Sequence, residues 1–293
     1  MNLRSESSSR QSTILGGIGE IADAYDALLC DVWGVVHDGS RAHENAVEAL
    51  RNFRTRRGPV ILLSNAPRPA EDVEQQFTRL RVPKDCYDSI LTSGMLARED
   101  IAQRSAGRPL PLLHIGPGRD LGIISGLPVK LVEADEAEIV LCTGLFDDDK
   151  ETPEDYREKL AGLKSRGLTF LCANPDIVVQ RGGKLIYCAG ALARLYTGLG
   201  GDTVYYGKPH APIYTAAIRH IRAAAKRDES RILAIGDGLE TDIRGANGAG
   251  LDAVFIADGI HGEDIPELTP PAIAKLFAQS HVTARGVMRA LVW

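Results

Sequence analysis

The amino-acid sequence predicts an α/β protein, a parallel sheet with helices on both faces. Three observations carry that prediction. Short apolar runs alternate with amphipathic stretches along most of the chain. The runs are continuously apolar, as strands covered on both faces must be. The amphipathic stretches ENAVEALRNFRTRRG and PEDYREKLAGLKSRG each close on glycine, as a helix C-terminus should.

The elements follow in order. Residues before about Ile14, beginning MNLRSESSSRQST, are polar and Ser-rich, so 1–13 are expected to be disordered and lack the apolar core of a signal peptide. GGIGEIA at 16–22 imitates a dinucleotide fingerprint, but only Ile14 and Leu15 precede it where a strand is needed, and it reads as a helix start. Strands are then expected at ALLCDVWGVV, PVILLSNA, LPLLHIG, AEIVLCTG, LTFLCANP, DTVYYGKP, RILAIGDG and LDAVFIADG. IGPGRD at 115–120 reads as a tight strand-to-helix turn, and HGED at 261–264 as a surface turn. The tail after Pro271, AIAKLFAQ and GVMRALVW, suits one or two amphipathic helices packing on the core or on a second subunit, so a homodimer is possible.

Composition bounds the function. The chain has 293 residues, long enough to bury a sizeable core without disulfides or a structural metal. With 34 basic against 39 acidic residues the net charge is −5, which excludes the basic footprint of a general nucleic-acid binder and gives no reason to expect a membrane surface as partner. No apolar run approaches the ~18 residues of a spanning helix. The five cysteines form no CxxC pair and sit mostly in apolar runs, which points to reduced, buried thiols in a cytoplasmic protein.

Ligands of such sheets bind beyond the carboxyl ends of the strands, so the residues closing each run matter most. The first run closes on Asp31, the second on Ser64 and Asn65, and a later one on Asp237, with Asp242 five residues on. A Gly-Lys-Pro turn places Lys208 ahead of the helix leading to the Asp237 strand. Capping alone explains any one of these acids. Two buried strands ending in carboxylates are harder to explain, because charges at ~4 Å repel by about 4 kcal/mol at an effective dielectric of 20. A hard divalent cation removes that cost, and an all-oxygen donor set suits Mg²⁺. Ser64 ahead of a helix can offer a hydroxyl and amides to a phosphate, and Lys208 can hold phosphoryl and aspartate charge together.

An Asp after strand one, Ser after strand two, a Lys, then GDGLETD resembles the haloacid dehalogenase superfamily of aspartate-nucleophile hydrolases. Asp31 to Ser64 is one plain βαβ unit, whereas Ser64 and Lys208 lie 144 residues apart, room for an inserted domain. That layout is similar to subclass IIA, the NagD-like and para-nitrophenyl phosphatase branch. LTSGMLA at 91–97, LCANPD at 171–176, GALA at 190–193 and YYGKP at 205–209 resemble it too. The resemblance implies a Rossmann-like core over 1–88 and 205–293, and an α/β cap over 89–204. It also implies that Asp31 is nucleophile and Mg²⁺ ligand, that Ser64 binds the phosphoryl group and that Lys208 orients both. Asp237 would complete the metal site, Asp242 would support it, and Trp33 would contribute its backbone carbonyl. Asn65, Asn174 and Asp176 would contact the substrate, a small phosphorylated metabolite. The loop with Asp147, Asp148 and Asp149 reads as solvated; in relatives it faces the substrate, where it would disfavour anionic groups.

One position departs from the pattern. The family's general acid, two residues after the nucleophile, is here Trp33, whose indole cannot supply a proton at neutral pH. His37, Asp38 and His210 are candidate replacements. The expected activity is Mg²⁺-dependent hydrolysis of a small phosphate monoester through an aspartyl-phosphate. Two alternatives arise from Trp33: an activated phosphoryl or non-phosphate substrate, or a non-catalytic phosphate-binding regulator.

Overall fold

The computed structural model describes residues 13–293 apart from 182–183, 226–230, 261, 263–264 and 266. The turn expected at HGED, Gly262 aside, and the disorder expected before residue 13 lie outside these residues. In chain order the elements begin β1 (Thr13–Ile14), β2 (Ala27–Asp31), α1 (Glu44–Arg56), β3 (Val60–Ser64), α2 (Ala70–Leu80), β4 (Ser89–Thr92), α3 (Ser93–Arg104) and β5 (Leu110–Ile115). They continue with β6 (Val129–Leu131), β7 (Ile139–Cys142), α4 (Arg157–Ser165), β8 (Thr169–Cys172), β9 (Val178–Arg181), β10 (Lys184–Tyr187), α5 (Ala189–Gly198) and β11 (Thr203–Tyr205). The chain closes with α6 (Ala211–Ala225), β12 (Ile232–Gly236), α7 (Arg244–Gly248), β13 (Asp252–Ile256), α8 (Pro270–Ser280) and β14 (Gly286–Met288).

Two parallel sheets result. One has the order β1-β14-β13-β12-β2-β3-β4 and the other β11-β8-β7-β5-β6, with a β9–β10 hairpin standing apart. All eight apolar runs are strands, and β2, β3, β7 and β12 are buried along their whole length. Parallel pairing puts the carboxyl ends of β2, β3 and β12 side by side, so Asp31, Ser64 and Asp237 emerge at one edge.

Three expectations need correction. Ser89–Thr92 pairs with β3, so the first sheet runs past the 88/89 boundary, and Thr203–Tyr205 pairs with β8, so the second sheet extends to the return point. Thr13, expected to be disordered, pairs with Gly286 at the sheet edge. GVMRALVW is no helix: Gly286–Met288 is a strand between β13 and β1, its backbone satisfied by two neighbours. AIAKLFAQ lies in α8 as expected. GGIG opens only a short 3₁₀ turn at Ile18–Glu20, and a Cβ on Gly17 would lie 2.2 Å from the Trp293 carbonyl oxygen, so glycine there serves close packing.

Candidate active site

The edge where β2, β3 and β12 end gathers four buried charges, Asp31, Lys208, Asp237 and Asp242, each 3–6% exposed. Carboxylate oxygens of Asp31, Asp237 and Asp242 lie within 4.8 Å of one another. Lys208 Nζ donates to Asp31 Oδ1, and to Asp242 Oδ1 at 2.7 Å. Burial alone would strip Lys208 of its proton; Asp242 and Asp31 outweigh it and hold the ammonium well above its ordinary range. Burial raises Asp31, and the neighbouring Asp242 and Asp237 add to the rise against the pull of Lys208. Asp237 is pushed up to about 7 by burial and then by Asp242. Three carboxylates facing one ammonium leave negative charge in a site of low dielectric, and an all-oxygen donor set of this kind fits a divalent cation.

Asp237 is built in by the backbone around it. Ile260 N–H donates to its Oδ2 at 2.7 Å. A Cβ on Gly34 or Gly259 would lie 2.1 or 2.0 Å from that oxygen, and Gly34 has φ +85°, so both positions require glycine. Leu239–Ile243 forms a single π-helical turn, a geometry found mostly at functional sites. Within it Asp242 accepts from Gly238 N–H at 3.1 Å as well as pairing with Lys208, so capping and charge pairing coexist in one side chain.

Asn65 ties three segments together. Its Oδ1 accepts from Lys208 N–H at 2.7 Å, while its Nδ2 donates to Lys208 O at 3.1 Å and to Asp176 Oδ1 at 2.8 Å. Asp176, on the loop after β8, is raised by burial against the pull of Lys208 and Asn65. Asn174 Oδ1 accepts from Asp176 N–H at 3.1 Å. Ser64 Oγ accepts from Ala66 N–H at 3.2 Å.

Trp33 is half-buried, its ring edge-on to His37 with centroids 5.1 Å apart, and a Cβ on Gly39 would meet it at 2.7 Å. None of the three replacement acids is set up for proton donation. His37 is buried, with Nδ1 accepting from Gly39 N–H at 3.0 Å, and burial lowers it to about 4. Asp38 is held well below the carboxylate range: burial opposes the shift, but the Ser40 hydroxyl and amide and the Arg41 amide overcome it. His210 stacks on Tyr205 with centroids 4.4 Å apart, and burial lowers it.

The loop after β8 reaches the site through Asp176. A cleft of about 470 Å³ opens between Trp33 and the Pro67–Arg68 turn on one side, and the loops after β5, β7 and β8 on the other. The acidic loop is not uniformly solvated as expected. The Asp148 side chain is only 14% exposed and is paired with Arg119 at 2.5 Å and Arg181 at 3.2 Å. Sequence reading missed Arg68, Asp120 and the Ile260 amide; of these only Asp120 lies in a motif it singled out, IGPGRD.

Comparison with known proteins shows the family. Residues 28–120 match the family model for haloacid dehalogenase-like hydrolases, and residues 205–280 a second, HAD-hydrolase-like one. A solved hydrolase of the haloacid dehalogenase-like family from Brucella suis is similar at 45% identity, over 95% of this chain and 100% of that one, with a TM-score of 0.84. D-glycerol 3-phosphate phosphatase of Mycobacterium tuberculosis is 27% identical over 82% of this chain, which spans 65% of that enzyme's length. Ribonucleotide monophosphatase NagD of Escherichia coli is 25% identical over 81% of this chain and 89% of its own. Among the described residues no helix is long and apolar enough to cross a membrane.

Proposed function

Because the chain belongs to the haloacid dehalogenase-like hydrolases, we propose that it is a phosphatase that hydrolyses a small phosphate monoester through an aspartyl-phosphate on Asp31. The observation that carries this reading is the convergence of Asp31, Asp237 and Asp242 on one point with Lys208 bridging two of them. Asp31 and Asp237, with the Trp33 carbonyl and support from Asp242, would hold a divalent cation, Mg²⁺ by its hardness. When bound it neutralises charge on the phosphoryl oxygens and on the carboxylates.

The chain's own residues do the rest. The Asp31 carboxylate attacks phosphorus, and the ester oxygen leaves with the bonding pair; water then cleaves the acyl phosphate. Lys208 fixes the Asp31 carboxylate and offsets its charge. The Ser64 hydroxyl and the amides that follow it bind the phosphoryl oxygens. Asn65 and Asp176 hold the Lys208 turn against the cap loop, and Asn174 faces the substrate cleft.

Trp33 favours a narrower version of this reading, in which the ester has a good leaving group. His37 and Asp38 are committed to local hydrogen bonds and neither carries a proton suited to a departing alkoxide. The test is beryllium fluoride, which stands in for the phosphoryl group, followed by ¹⁹F NMR with Mg²⁺. The wild type is expected to give the bound signal, and Asp31→Asn to lose it together with turnover. A bound signal that survives Asp31→Asn refutes the nucleophile.

A further inference from the structure

Beyond the reacting groups, the cleft under the second sheet has a charge pattern of its own. Four arginines line it, Arg68, Arg79, Arg119 and Arg181, against two carboxylates, Asp120 and Asp148. Arg119 and Arg181 share Asp148. That leaves positive charge in surplus on the side of Arg68 and Arg79. Arg68 is the unusual member. Among the described residues its buried Nε makes no hydrogen bond, and only a long ion pair joins it to Asp120 Oδ1 at 3.6 Å. The turn that carries it is immobilised: the Arg68 carbonyl accepts from Thr92 Oγ1 at 2.6 Å, and a Cβ on Gly94 would lie 2.3 Å from the Arg68 nitrogen. The backbone is fixed, and the guanidinium it carries presents a buried, unbonded N–H at the edge of a cleft.

We propose that the substrate carries a second anionic group, a carboxylate or a phosphate, on the leaving-group side of the ester, and that Arg68 receives it. This rests on the phosphatase reading, which puts the transferred phosphoryl group at Ser64, four residues earlier on the same turn. The Ser64 and Arg68 Cα atoms are at most ~14 Å apart along the chain, so the two anions belong to one metabolite-sized molecule. A guanidinium fork suits either anion, because both present paired oxygens to its parallel N–H groups. Asp120 does not forbid the anion. Burial raises it to about 6 against the pull of Arg68 and Arg119, with Asp148 and Asp72 adding to the rise, so an arriving negative charge raises it further and it takes up a proton from solvent. Trp33 and Tyr187, which also line the cleft, offer apolar surface to the carbon chain between the two anions.

Matched esters test this. One pair is 3-phosphoglycerate against glycerol 3-phosphate, the other fructose 1,6-bisphosphate against fructose 6-phosphate; the pairs separate a carboxylate from a second phosphate. For the wild type with Mg²⁺, kcat/KM is expected to be at least tenfold higher for the acidic member of one pair. Arg68→Gln should reduce that ratio to about threefold or less, mainly through KM, while Arg68→Lys keeps part of it. No preference in the wild type, or a preference that survives Arg68→Gln, overturns the proposal. If neither these alkyl esters nor para-nitrophenyl phosphate, whose leaving group needs no proton, is hydrolysed, the phosphatase reading fails by itself. Calorimetry of the same pairs on Asp31→Asn, with and without Arg68→Gln, then decides on Arg68 independently, with a tenfold tighter acidic member expected only when Arg68 is present.

Discussion

At the scale of single residues, Trp33 is the position on which the proposed chemistry turns. An indole stands where the family resemblance leads one to expect a proton donor, and the polar groups nearest in sequence are already engaged. The leaving group must then depart unprotonated, and the barrier depends on its basicity. Phenolic esters such as para-nitrophenyl phosphate are expected to be hydrolysed faster than alkyl phosphates by something like the ~10²–10⁴ that general acid catalysis supplies. Trp33→Asp should rescue the alkyl esters selectively. Removal of a fully buried Trp costs ~3–5 kcal/mol, and the half-buried ring here should cost less, so the variant should stay folded, which thermal melting checks first. Equal rates on aryl and alkyl esters in the wild type would show that another acid is present and that the argument from Trp33 fails.

Single elements show how the surroundings of one side chain set pH dependence. His114 lies on β5, with its Nε2 2.9 Å from Thr143 Oγ1 on the loop after β7, and burial lowers it to about 4. A base whose folded value falls below its unfolded 6.5 stays neutral in the native state while the unfolded chain takes a proton. Its contribution is therefore present above pH ~6.5 and is lost as pH falls toward 4. At pH 5 the loss amounts to about 2 kcal/mol. Urea unfolding of wild type and His114→Gln at pH 7 and pH 5 measures it: the wild type should lose about 2 kcal/mol more than the variant, and parallel losses would sink the assignment. The same scale separates what was legible in the sequence from what was not. The eight strands expected from the sequence, β11 at a sheet edge and the rest interior, are mostly apolar runs closed by turn residues, and Asp31, Ser64, Lys208 and Asp237 stand at or just beyond their ends, so strand and candidate site were read together. The elements missed have no such signal. β4 runs directly into α3, β14 has three residues whose partners lie far away in sequence, and the β9–β10 hairpin leaves Leu185 and Tyr187 exposed, without a buried run. Arg68 was illegible because its meaning depends on an acceptor missing in three dimensions.

The whole molecule is divided into two sheets but not into two separate cores. One apolar cluster passes from Leu29 and Ile61 under the first sheet, through Leu96 and Ile101 of α3, to Leu112 and Leu141 of the second. Polar ties follow the same route, since Ser93 Oγ donates to Ala173 O at 2.5 Å and Asn65 to Asp176. An inserted unit that shares an apolar cluster with the first sheet, in part through α3, should unfold together with it. Ile101 is fully buried in that helix, and Ile101→Ala should cost ~2–5 kcal/mol, the range for deleting a buried Ile side chain. Both tryptophans belong to the first unit; since Trp33 also lines the cleft, Trp293 in a Trp33→Phe background gives the fluorescence probe of that unit, and amide exchange in β7 and β8 follows the other. With and without Ile101→Ala the two probes should give one midpoint, displaced equally by the substitution. A core that keeps its fluorescence midpoint while β7 and β8 exchange early would mean that the cluster through α3 does not couple them. The cap would then move as an independent lid, and the Arg68 cleft, which depends on loops from both sheets, would form only on closure.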